Sequence, residues 1–213
     1  MNRAELKAKA KAQIKGKIGI LFLITLIISA LTFAADAILS YIPAGSIIAT
    51  VIITPAFALS LARVYLMVIR DETPSAKDAF QGFDDFWSAF KVTFLVGLFT
   101  FLWSLLFIIP GIIKGISYSM SNYILAENKG KGALECINES KAMTNGHKWE
   151  LFVLALSFFG WALLCVITIG IAAIWVTPYM KATFANAYQS LKPASEVPAA
   201  EELEIPAPAE ETV

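Results

Sequence analysis

From Phe101 to Glu127 the chain reads FLWSLLFIIPGIIKGISYSMSNYILAE, with no acidic residue before Glu127 and a single lysine, Lys114. A helix bathed in water keeps one polar face, and this stretch has none. Its length and apolarity predict a membrane-spanning helix, for which about 20 residues suffice. A Pro-Gly step, Pro110-Gly111, lies inside it, and Gly111, Gly115 and Ser119 stand four residues apart. Small residues at that spacing let two helix backbones approach closely, either within one bundle or across a dimer face.

The rest of the chain is of the same kind. Apolar residues are 57% and charged residues only 16%, against about 25% charged in a soluble domain. The reading is an all-α, polytopic membrane helical bundle. Residues 1–17 form a basic amphipathic cytoplasmic helix, residues 18–191 the transmembrane helical domain, and residues 192–213 a disordered acidic Pro/Ala/Glu tail, too poor in apolar surface to order itself. In the first segment Leu6, Ala10, Ile14 and Ile18 recur every four residues among Arg3, Lys7, Lys9, Lys11, Lys15 and Lys17. That pattern suits contact with anionic lipids at a bilayer surface and holds the N-terminus in the cytoplasm. Nucleic acid is a poor partner, because the basic segment runs straight into a hydrophobic span.

Six spans in three hairpins fit the remainder. They are Ile18–Leu39 and Ser46–Ile69, then about Phe83–Phe99 and Phe101–Ala126 with a turn near Thr100, then Trp149–Ile167 and Ile171–Ser190 with a turn near residues 168–170. Residues 74–90 suit the headgroup level, and residues 131–145 a surface amphipathic helix stopped at Gly146. The short outer turns carry no Lys or Arg, so both termini are expected in the cytoplasm. A four-span layout, with Pro110 and Pro178 closing spans, is the runner-up. It would place Lys129, Lys131, Lys141 and Lys148 outside.

An internal repeat supports the hairpins. TPAFALSLARVY begins at Thr54 and TPYMKATFANAY at Thr177; Ser60 and Thr183, Ala62 and Ala185, Tyr65 and Tyr188 correspond. A weaker third copy starts at Pro110, with Gly115 and Ser117 at its small positions.

The segments FLWSLLFIIPGIIKGISYSMSNYILAEN, ESKAMTNGHKWELFVLALSFFGW and WVTPYMKATFANAY resemble the bacterial integral membrane proteins grouped as domain of unknown function 975. The resemblance covers about residues 2–191. The Pro-Gly step followed by Ser140, Met143, Thr144 and Gly146 is also similar to the membrane domain attached to some bacterial glycerophosphodiesterases, whose catalytic sequence this chain does not carry. What the resemblance implies is a membrane location and a helical architecture; it brings no activity and no catalytic residues.

Lys114 and Lys181 are the candidate functional residues. On the boundaries above both lie near mid-membrane, where a lysine costs about 2.5–3.5 kcal/mol unless it meets a partner or a wet cavity. They would form an anion or lipid-phosphate site between spans four and six, or else snorkel to an interface. Arg63 is expected to snorkel inward, and Asp36 to sit solvated at the outer end of span one. His147 stands alone in a loop, and Cys136 and Cys165 share no metal-ligand spacing. No nucleophile, acid–base pair, phosphate loop or dinucleotide fingerprint is recognisable. The expectation is a non-enzymatic membrane scaffold or interaction protein without a cofactor or metal; a small permease or lipid-handling protein is the alternative.

Overall fold

The computed structural model describes residues 2–42, 45–168 and 170–192, so the acidic-tail reading lies outside the described residues. Among them there is no strand; ten α-helices and one 3₁₀ helix account for the fold. The helices are α1 (Arg3–Ile14), α2 (Ile18–Leu39), α3 (Gly45–Ile69), α4 (Phe86–Leu106), α5 (Ile108–Tyr118), α6 (Ser121–Glu127), α7 (Ala133–Met143), α8 (Lys148–Leu156), α9 (Phe159–Ile167) and α10 (Ala173–Leu191). The 3₁₀ helix Ala76–Phe83 connects α3 to α4.

Among the described residues four stretches are long and apolar enough to cross a bilayer: Ile18–Leu39, Val51–Ile69, Phe86–Leu106 and Lys148–Ile167. The α5–α6 pair and α10 are not among them. The first is broken after Tyr118, and α10 is less apolar because its polar residues Thr183 and Asn186 are buried against other helices. A side chain that faces protein rather than lipid has no need to be apolar.

The second hairpin turns later than the sequence reading places it. The chain is helical through Thr100 as far as Leu106, and the reversal is at Phe107, whose backbone is extended (φ −159°, ψ 147°). The physical reason is Pro110. It is the third residue of α5, in the first turn, where a missing N–H leaves no hydrogen bond unmade. Gly111 then lies against Ser104 of α4, where a Cβ would collide with the serine backbone. The stretch Phe101–Glu127 is therefore not one helix but the end of α4, a reversal, and a broken returning rod. The third turn, by contrast, falls where expected: α9 stops at Ile167 and Gly170 is left-handed (φ 85°).

Three similar units follow one another. Each has a short connector helix, an apolar outgoing helix and a returning helix that carries a proline. The connectors are α1, the 3₁₀ helix and α7; the returning helices are α3, α5–α6 and α10. Left-handed glycines, Gly16 (φ 84°) and Gly146 (φ 85°), stand two residues before α2 and α8. The contacts close into a ring. The 3₁₀ connector packs on α3, α7 packs on α5 and α6, and α1, from the chain's beginning, packs on α10. At the centre α3 touches both α6 and α10, and the Tyr123 and Tyr188 rings stack with centroids 5.5 Å apart.

The outer parts of the hairpins are covered with exposed Phe, Leu, Ile, Val and Trp side chains, from Phe22 on α2, Phe94 on α4 and Leu156 on the third hairpin. The core sits at the other end, where Leu6, Ala10 and Ile14 of α1, Val64 and Tyr65 of α3, Ile124 and Leu125 of α6, Cys136 of α7 and Tyr188 of α10 are buried. Exposed Trp87 and Trp149 each stand in the first two residues of an apolar helix, the usual place of an interfacial tryptophan.

Candidate functional site

Three polar assemblies hold the core end together. In the first, Arg63 is buried (6% side-chain exposure) and its guanidinium donates to the Asp85 carboxylate and to the Gln81 carbonyl. One turn earlier, the Ser60 hydroxyl donates to the Ala56 carbonyl and accepts the Gly82 N–H at 2.8 Å. Gly82 presses so close to the Ala56 carbonyl that any side chain would collide with it. Phe83 meets Phe57 edge-on, ring centroids 5.3 Å apart. Arg63 thus does not snorkel: it is spent on bolting the 3₁₀ connector to α3. The i, i+22 separation of the pair gives it no local signature.

The second assembly repairs the break between α5 and α6. The Met120 N–H has left the helical ladder and donates to the Ser140 hydroxyl at 3.2 Å. That hydroxyl donates in turn to the Ser117 carbonyl at 2.8 Å. One serine of α7 serves both sides of the interruption, with Thr144 beside it, 3.4 Å from the same carbonyl. The helix over residues 131–145 is therefore half interior, since Cys136, Ile137 and Ser140 are buried.

The third lies where the returning helices end. Glu127 at the end of α6 pairs with Arg70 just beyond α3 and Lys192 just beyond α10. It also accepts the Tyr188 hydroxyl at 2.8 Å. On the outer side of this clasp a cleft of about 260 Å³ opens between α3, α6 and α10. Ala58, Leu61, Ala62 and Tyr65 form one wall, Ser119, Asn122 and Tyr123 another, and Met180, Lys181 and Phe184 the third. The side-chain Oδ1 of Asn122 is buried and, among the described residues, without a hydrogen-bond partner.

The two candidate lysines part company here. Lys181 stands near the middle of α10, ten residues or about 15 Å of helix from Leu191, and lines the cleft. Lys114 is only seven residues, about 10 Å, from the reversal at Phe107, because that turn falls later than Thr100. Its ammonium lies 4.6 Å from the centroid of the Trp103 ring, and it is not among the cleft's walls. The small-residue ladder is divided in the same way. Gly111 and Gly115 face Ser104 and Thr100 of α4, whereas Ser119 caps α5 and lines the cleft.

Other residues also sit differently from the sequence reading. His147 is not alone: its Nδ1 lies 2.9 Å from Glu150. One carboxylate oxygen of Asp36 is buried without a partner. Lys91, exposed on the first turns of α4, is a further basic residue within an apolar helix. In the weak third repeat it is Tyr123, thirteen residues after Pro110, that joins Tyr188, not the residue ten after. The break at Ser119–Met120 absorbs the difference. Among the described residues no cluster of His, Cys, Asp or Glu is placed to hold a metal ion.

Compared with known families, the chain matches the one described as protein of unknown function (DUF975) over residues 1–117 and 105–195. The chain belongs to the DUF975 family. This agrees with the resemblance carried by the Pro-Gly step and by the Ser140–Gly146 stretch. In this DUF975 chain Ser140 and Thr144 serve the break between α5 and α6, Gly146 supplies the left-handed turn into α8, and Gly111 lets α5 fold back on α4. These residues hold the fold. No curated protein and no solved structure matches the chain.

Proposed function

We propose that this DUF975 protein is a six-crossing protein of the bacterial cytoplasmic membrane with both termini in the cytosol. It acts as a non-enzymatic scaffold that presents a ring of basic connectors to the cytosolic surface. One observation carries the reading. The hairpin reversals near residues 40–42, 107 and 168–171 carry no basic residue, while the ring at the opposite end carries Arg3, Lys7, Lys9, Lys11, Lys77 and Lys141. A bilayer sorts charge in that way. The broken α5–α6 rod and α10 are counted as crossings because each follows an apolar helix and a tight reversal and buries polar groups, Ser117 and Ser121 in the one and Thr183 and Asn186 in the other. Exposed Lys11 and Lys15, on and just after α1, suit anionic lipid headgroups, each adding about 1 kcal/mol of surface attraction.

Single cysteines at Tyr41 and Lys131, in a background free of Cys136 and Cys165, test the layout. A membrane-impermeant maleimide added outside intact cells is expected to label position 41 and to miss position 131. Labelling of 131 from outside would end the six-crossing reading. A second reading, a small lipid-handling protein, is favoured by the cleft at Lys181.

A further inference from the structure

We infer that the cleft between α3, α6 and α10 holds the phosphodiester group of an anionic membrane lipid, with Lys181 as its counter-charge. The inference rests on α10 being a crossing, and it gives the second reading above a ligand class. Lys181 is the charged residue among the cleft's walls, and among the described residues no ion pair or hydrogen bond engages its ammonium. A lysine at such depth requires an anion or water to be tolerated. The room is local. Counting back seven residues from Tyr65, Tyr123 and Tyr188 gives Ala58, Ile116 and Lys181. The small Ala58 and the short Ser119 stand on the walls facing the lysine.

Three further features select the ligand. One ammonium neutralises one negative charge, which suits a phosphodiester, a monoanion throughout the neutral range, better than inorganic phosphate, which is divided between monoanion and dianion there. Asn122 on the facing wall carries a side-chain amide whose N–H groups can donate to a phosphodiester oxygen. Leu61, Met180 and Phe184 give the apolar wall that a glycerol backbone and the roots of acyl chains need. Toward the helix ends the axis is filled by the Tyr123–Tyr188 stack and the Glu127 clasp. A ligand therefore reaches Lys181 from the bilayer side.

The purified full chain in a neutral maltoside detergent is titrated with short-chain phosphatidylglycerol, with the matching diacylglycerol and with inorganic phosphate, read by native mass spectrometry. Wild type is expected to retain one phosphatidylglycerol per chain. Lys181→Met is expected to weaken binding at least about tenfold, the loss of one charge-assisted hydrogen bond. Lys114→Met and the triple variant K9Q/K11Q/K15Q should leave that single site unchanged. Ala58→Leu fills the cleft while keeping the lysine and should lose binding equally, so a misfolded Lys181 variant does not shelter the idea. Equal binding by Lys181→Met, or by diacylglycerol, overturns the proposal. Displacement of the lipid by inorganic phosphate at equal concentration overturns the lipid assignment in favour of a free-anion site. The cysteine map is independent of all these arms, so a failed cleft and a failed topology are told apart.

Discussion

The buried Arg63–Asp85 pair offers the sharpest test of how the connectors are held. Asp85→Asn keeps the shape and removes the charge. Arg63 would then keep only neutral acceptors, the Gln81 carbonyl and at best one amide oxygen of the new side chain, with its Nε already lacking a partner. Two unit charges about 4 Å apart attract by about 4 kcal/mol at an effective dielectric of about 20. Breaking a buried pair from one side costs about 3–5 kcal/mol. The Asp85 side chain is 19% exposed, so water screens part of the attraction and the lower end, about 3 kcal/mol, is expected. Reversible unfolding in mixed micelles measures the loss. Hydrogen exchange of the Gly82 amide, bonded to Ser60, locates it at the 3₁₀ connector. The double variant R63M/D85L removes both charges and should return to within about 1 kcal/mol of wild type. A loss under about 1 kcal/mol for Asp85→Asn, with Gly82 protection unchanged, would refute the reasoning, because the pair would then be solvated and not a bolt.

Two further outcomes follow from named contacts. Ser140→Ala orphans the Met120 N–H and releases the Ser117 carbonyl; a loss of about 1–3 kcal/mol is expected, with faster amide exchange at Met120 and not at Met143. Burial pushes the Cys136 thiol up to about 11. In a Cys165→Ser background its alkylation by iodoacetamide should be slow at pH 8 and climb about tenfold per pH unit until about pH 11. A thiol whose folded pKa is raised holds its proton more tightly in the fold, so this contribution to stability is present at neutral pH and is lost as pH rises from about 9 through 11. Alkylation at pH 8 as fast as that of an unfolded chain would sink the assignment.

Much of the fold was legible in the chain, and particular residues show why. The apolar runs at Ile18–Leu39 and Trp149–Ile167 announce themselves because lipid-facing surface must be apolar on every side. Leu6, Ala10 and Ile14 show at helical spacing because α1 buries one stripe. Other features were misread for one shared reason. The reversal at Phe107, the fate of Arg63 and the sharing of Ser140 each depend on what lies across space, 7 to 23 residues away along the chain. Pro110 looks the same in the first turn of a helix as in its middle. Only the close seat of Gly111 on Ser104 decides between them.

What the sequence determined alone is the solvent: runs this greasy, flanked by lysines, have lipid as their stable surroundings, and Thr-Pro repeats mark related returning helices. Tertiary structure decided which polar groups meet. It closed α1 onto α10 across the length of the chain and set Glu127 between Arg70 and Lys192. It also parted Lys114, under Trp103, from Lys181 in the cleft. Periodicity along one helix fixes which face a side chain occupies, but not which helix that face will find. That choice is made by packing, where a small residue such as Ala58 or Gly82 admits one neighbour and a larger one would exclude it.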